Sequence, residues 1–195
     1  MRKGGTHHGW WYRIKDNPEG PSFTTTYCPK NIPMGRFYNN SVHSNGRFGL
    51  WIFPGYHPTV SGACDDTRPS PAIFDTFHSY LNTKGAEWVM ANPMQFKNFV
   101  VFDHSATGIE AKTIVSNKAE NTLYKNTFFS NSSGPLIQNT IVIGNSDSSS
   151  STSISESGIV VAWDRGELLE NVAFYNFPDS GSRAIRGPFI DGTCT

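Results

Sequence analysis

The 195-residue chain carries 16 Lys plus Arg against 16 Asp plus Glu, a formal net charge of zero, and charged residues make up only 16% of it. That excludes a global basic grip on nucleic acid or on an anionic membrane surface. With 16 Asn, 21 Ser and 18 Gly, and aromatics at 13%, polarity resides in small neutral side chains, the balance of a turn-rich β protein.

The length allows one domain with a real core or an internal portion of something longer, and the second is expected here. The start, Met1-Arg2-Lys3-Gly4-Gly5, lacks the apolar run of a signal peptide. The nearby Trp10-Trp11-Tyr12 is too short to cross a bilayer, so this segment should not insert directly into a membrane. Helical periodicity is almost absent, because Gly, Pro, Asn or Ser interrupts most windows of ten.

A repeat replaces it. Phe37-Tyr38-Asn39 continues through Val42 to Gly49, Phe96-Lys97-Asn98 through Val101 to Gly108, and Leu169-Glu170-Asn171 through Phe174 to Gly181, with ten residues from Asn to Gly each time. Phe74-Asp75-Thr76 is a weaker member reaching Gly85, and Ile137-Gln138-Asn139 reaches Gly158 across a serine-rich insertion. A period in the low twenties, expected as three short strands and three turns, predicts an all-β fold: a right-handed parallel β-helix, a pectin-lyase-like solenoid. In such a coil the repeated Asn forms a turn ladder, and the Gly is expected to supply a φ > 0 corner before the next strand.

Residues 1–195 therefore read as a single β-helix segment with loop insertions at about 54–70 and 146–157. The first holds three prolines and Cys64, and the second has eight serines in twelve residues. Neither is expected to pack into a core. Leu123 to Phe129 reads as an added strand. Cys28 and Cys64 suit one disulfide, with Cys194 odd, although three reduced thiols fit the spacing equally well. Asn39-Asn40-Ser41 and Asn131-Ser132-Ser133 are N-glycosylation sequons, at Asn39 and Asn131.

The stretches His8-Gly9-Trp10-Trp11-Tyr12-Arg13, Ile32 to Asn40 and Val42 to Phe53 resemble the extracellular β-helix region of the fibrocystin and CEMIP family. So do Pro71-Ala72-Ile73-Phe74, Gly85-Ala86-Glu87-Trp88-Val89 and Gly108-Ile109-Glu110. The last two are more similar to the fibrocystin branch than to the hyaluronan-degrading branch. The resemblance implies a fragment or truncated relative of a large extracellular or cell-surface protein. It favours a scaffold or recognition module, with a polysaccharide-degrading enzyme, a hyaluronan depolymerase or lyase, as the alternative.

Glu87 and Glu110 lie 23 residues apart, both two positions after a repeat glycine, which places them on successive coils and one face. Such a pair would bind a cation, with calcium the candidate cofactor, or act as an acid and base pair on glycosidic bonds, against the alternative of a solvated polar ladder. Asp103-His104 offers a base or metal ligand, against a surface turn, and His43 lies in a comparable stretch. Trp10, Trp11 and Tyr12 with Arg13 and Lys15 suit a sugar platform, or else a core cluster in which Trp11 faces away from the other two. Asp65-Asp66 beside Cys64 is an exposed loop and a remote candidate for calcium. The expected partners are carbohydrate or extracellular protein, not nucleic acid. No nucleophile elbow or phosphate loop is present.

Overall fold

The computed structural model describes residues 4–91, 93–112, 134–147, 155–162, 167–178 and 181–187. Eleven strands are found among them: β1 (His8–Tyr12), β2 (Phe37–His43), β3 (Phe48–Ile52), β4 (Ala72–Tyr80), β5 (Lys84–Trp88), β6 (Met94–Phe102), β7 (Thr107–Ala111), β8 (Leu136–Ile143), β9 (Ser157–Val160), β10 (Leu168–Tyr175) and β11 (Arg183–Arg186). Among the described residues helix is limited to two 3-10 turns, Gly20–Ser22 and Pro29–Asn31. The strands alternate between two parallel sheets. Sheet A runs β1-β3-β5-β7-β9-β11 and sheet B runs β10-β8-β6-β4-β2. Each repeat thus gives one strand to each sheet, preceded by β1, which the repeat pattern does not include.

The expected three strands per coil take a different form. Sheet B is creased at the repeated Asn position, where Asn39, Thr76, Asn98, Asn139 and Asn171 all have φ between 50° and 56°. One hydrogen-bonded strand therefore supplies two sides of the coil. Asn tolerates this left-handed region better than most residues, and Asn171 Nδ2 donates to Asn139 Oδ1 at 2.8 Å. Thr76 is a true member of the row, but Asn98 bonds past it to Asp75 Oδ1 at 2.7 Å.

The repeat glycines do not make φ > 0 corners. That conformation falls to Ser44, Leu81, Asp103 and Asn176 just after sheet B. Gly9, Gly49, Gly85, Gly108 and Gly158 instead form a column inside sheet A, flanked by the pairs His8↔Phe48↔Lys84↔Thr107↔Ser157. A Cβ on Gly85 would lie 2.3 Å from the Gly108 carbonyl oxygen, and one on Gly108 2.6 Å from that of Gly158. Gly is required there for close approach, not for its φ. The column ends at Ala184, since Arg183 pairs with Ser157 and Ile185 with Ile159. Gly181, assigned to the row from its spacing, lies outside it.

Between the sheets lies a narrow apolar core. Phe74, Phe77, Trp88, Phe96 and Phe99 are fully buried, each worth about 1.5–3 kcal/mol in transferred area. Trp88 meets Phe96 edge-on at 4.8 Å. The 54–70 insertion also contributes, against expectation: Tyr56 is buried in this core and donates to the Ile32 carbonyl at 2.9 Å. A Cys28–Cys64 disulfide ties that insertion to the segment after β1. Cys194, Asn131, the Leu123 to Phe129 strand and most of the serine loop lie outside the described residues.

Gly85→Ala is expected to lower stability by roughly 2–3 kcal/mol, because backbone must move to admit the methyl. Gly35→Ala, where no atom lies within 4 Å of the added Cβ, should change it little. Urea unfolding midpoints of the two variants check the contrast.

Candidate functional site

The outward face of sheet A gathers most of the residues singled out above. Along one row the register is Trp11↔Trp51↔Glu87↔Glu110↔Val160, and along another His8↔Phe48↔Lys84↔Thr107. Glu87 and Glu110 are direct neighbours on β5 and β7, so the coil register from the sequence holds. The first half of the face is aromatic. Trp51 stacks on Phe48 at 4.8 Å, on His8 at 4.8 Å, on Phe53 at 5.1 Å and on Trp11 at 5.4 Å. Trp11 Nε1 donates to the Phe53 carbonyl at 2.8 Å, and the Arg13 guanidinium sits 5.2 Å from the Trp11 ring.

Strand alternation divides the aromatic triplet as expected. Trp10 and Trp11 are both exposed, at 41% and 44%, but only Trp11 joins the outward stack. Tyr12 packs edge-on to Phe74 at 5.2 Å, and Trp10 meets Phe37 at 5.7 Å. Lys15 does not join this face: it pairs with Glu19 at 2.8 Å.

The second half of the face is an ion cluster. Glu87, only 2% exposed, accepts from Trp51 Nε1 at 2.9 Å and from Lys84 Nζ at 2.5 Å. Lys84 Nζ also donates to Glu110 Oε2. Lys112 Nζ lies 3.8 Å from a carboxylate oxygen of each. The chain itself thus supplies the positive charge between the carboxylates, in the place considered for calcium. Among the described residues no group of three or more His, Cys, Asp and Glu is arranged to hold a metal. Burial pushes the Glu87 carboxyl up, against the pull of Lys84 and Lys112. Burial also works against the Lys84 charge, but Glu87 and the hydrogen bonds to Glu110 and Glu87 outweigh it and raise the ammonium pKa. Neither Lys84 nor Lys112 stood out in the sequence, although Lys84 directly precedes the repeat glycine.

Asp103 and His104 point to different places. The Asp103 carboxylate accepts from the backbone N–H of Ser146 at 2.6 Å and from its hydroxyl. His104 is wholly buried, not part of a surface turn, and its Nδ1 faces the Asn82 backbone at 3.3 Å. Two residues beyond the pairs His43↔Tyr80↔Phe102↔Ile143, the chain places Asn45, Asn82, His104 and Asn145 in one row. Asn45 Nδ2 donates to Asn82 Oδ1 at 2.9 Å. His104 therefore substitutes for Asn in a second, buried ladder that the sequence reading missed. For Asn45, Asn82 and His104 the signal was a polar residue three or four places before the repeat glycine, whereas the serine-rich insertion separates Asn145 from Gly158. His43 belongs to an outward stack instead, against Tyr80 at 4.8 Å, with Tyr80 on Phe102 at 4.8 Å.

Asp66 makes a loop clamp. It accepts from Arg68 Nε at 2.9 Å and from the Ser61 N–H and hydroxyl at 2.8 and 2.7 Å. These bonds, Arg68 first, hold its carboxyl well below the usual carboxylate range.

Two expectations follow. Burial lowers the His104 pKa from 6.5 to about 4, so the folded state resists its protonation. The resulting stability is complete above pH 6.5 and is lost as pH falls toward 4, by up to about 3 kcal/mol. His104→Asn, the residue used by the adjacent coils, should flatten this dependence in denaturant titrations at pH 7 and pH 4. Lys84→Met leaves Glu87 buried without its main partner and should cost about 3 kcal/mol or more. Adding Glu87→Gln should restore part of the thermal midpoint.

A protein-family model described as CEMIP beta-helix matches residues 1–50, the stretch that supplies Trp10, Trp11, Tyr12, Arg13 and Phe48. Fibrocystin-L of Mus musculus is 39% identical over 193 residues, 98% of this chain and 4% of that protein. The Cell migration-inducing and hyaluronan-binding protein of the same species is 38% identical over 79 residues, 39% of this chain and 6% of that protein. Cell surface hyaluronidase CEMIP2 of Homo sapiens is 29% identical over 119 residues, 49% of this chain and 9% of that protein. The chain spans 4% of the fibrocystin-L that it matches. Among the described residues no helix is long and apolar enough to cross a membrane. Along nearly its whole length, through the alternating parallel strands described above, the chain is similar to a short stretch of fibrocystin-L.

Proposed function

We propose that this chain is a right-handed parallel β-helix module of an extracellular or cell-surface protein, and that it acts by recognition. The observation that carries this reading is the outward face of sheet A. There the band of His8, Trp11, Phe48 and Trp51 is bordered by Arg13 beside Trp11 and by Lys84 over Phe48, and the two carboxylates beside it face the ammonium groups of Lys84 and Lys112. Aromatic surface suits the apolar faces of sugar rings, and a nearby guanidinium suits a carboxylate substituent. An acidic polysaccharide is the ligand class this favours. The relative named for hyaluronan binding points the same way.

Catalysis draws less support from the geometry. Acid and base work on a glycosidic bond needs carboxyl groups free to exchange protons with substrate. Glu87 is buried and held by Trp51 and Lys84, and Glu110 shares the same ammonium. His104 has no route to solvent in its buried row, and Asp103 is spent on Ser146.

Hyaluronan binding, followed by fluorescence anisotropy with labelled oligosaccharides, should weaken as salt rises and fall at least tenfold in Trp11→Ala with Arg13→Ala. Hyaluronan incubated with the protein should keep its chain length in size-exclusion chromatography. Shortened chains would establish the enzyme reading; absent binding would remove acidic polysaccharide as the ligand.

A further inference from the structure

We propose that Asn39 carries an N-linked glycan whose first N-acetylated hexose rests in the groove between Arg36, Tyr38, Ile73 and Asp75. The inference rests on the cell-surface reading above, because only a secreted chain meets the donor. In the transfer step the Asn39 amide nitrogen displaces the pyrophosphate of a lipid-linked oligosaccharide at the anomeric carbon. An N–C bond forms, the lipid pyrophosphate leaves, and one amide proton is lost.

Five residues crease sheet B, and their positions are not equivalent. Asn98 donates to Asp75 and Asn171 to Asn139, so these amides are used within the stack. Asn39 lies on β2, whose recorded sheet partner is β4. Both Asn39 and Ser41, the first and third residues of the sequon, are exposed. Its φ of 54° puts it at a corner of the strand, accessible from outside.

The residue before it opens a shallow groove lined by Gly35, Arg36, Phe37, Tyr38, Ile73 and Asp75. Tyr38 is 48% and Ile73 41% exposed, and the Arg36 guanidinium lies 4.7 Å from the Tyr38 ring. A phenol ring and an aliphatic side chain offer apolar surface to a sugar ring, a guanidinium can donate to an acetamido carbonyl, and a carboxylate can accept from a hydroxyl. At Gly35 no side chain fills the adjoining space.

The test is to express the full chain behind a secretion leader in glycosylating cells, beside Ser41→Ala. Mass spectrometry of the peptide containing residue 39 should show a glycan that peptide N-glycosidase removes, leaving aspartate; Ser41→Ala should lack it. The second sequon, at Asn131, maps to a different peptide. The glycan should raise the thermal midpoint by about 2–4 °C, and Tyr38→Ser should remove that gain while site occupancy is unchanged. A secreted chain with unmodified Asn39 overturns the site. An equal gain in Tyr38→Ser overturns the groove as its seat. If neither chain is secreted although both fold when made in bacterial cytosol, the cell-surface reading itself falls, and the glycan with it.

Discussion

Everything in this molecule depends on how closely one coil can lie against the next, and the tightest contact is the glycine column of sheet A. Parallel strands stack about 4.8 Å apart. At Gly49, Gly85, Gly108 and Gly158 the place of a Cβ already holds the carbonyl of the following coil. The register fixed there determines which side chains become neighbours on the outside. It is why Trp51 reaches Glu87, and why Lys84 spans two carboxylates on different strands.

The same register produces order on each exposed side. Sheet A carries rings that give way to ions. The second half of sheet B carries His43, Tyr80 and Phe102 stacked with nearly parallel planes. The buried row of Asn45, Asn82 and His104 closes the turn from within. Because parallel stacking repeats a position in every coil, a single change such as Asn to His is tested against identical neighbours above and below. That makes His104 a titrating group in a row that otherwise does not titrate.

Much of the fold was legible because Phe, Asn and Gly recur at fixed intervals, and the pairing of Glu87 with Glu110 followed from counting along them. What failed was the meaning assigned to the glycine. Spacing marks a position where a side chain is forbidden, but it does not distinguish forbidden by φ from forbidden by contact, and here contact is the reason. The role of Lys84 was hidden for a related reason: an ion pair between strands depends on partners distant in sequence. Asp103 and His104 misled because adjacent residues in a left-handed turn diverge instead of facing one target. Tyr56 was hidden by the Pro and Gly around it, which suggest a loop but do not forbid one residue from entering the core.

Backbone strain is not spread evenly through the stack. Ten non-glycine residues adopt positive φ among the described residues, and seven of them are Asn, Asp or Ser. The other three are Thr76, Leu81 and Met90, all contributed by the stretch that forms β4 and β5. A branched or aliphatic side chain in that region costs about 1–2 kcal/mol more than a relaxed backbone. The stretch lies between neighbouring strands on both sides in each sheet, where flanking structure can enforce such geometry. It also bears Asp75, Lys84 and Glu87. The segment that carries the Lys84–Glu87 ion pair is therefore held in the least relaxed backbone among the described residues, a loaded segment clamped between calmer ones.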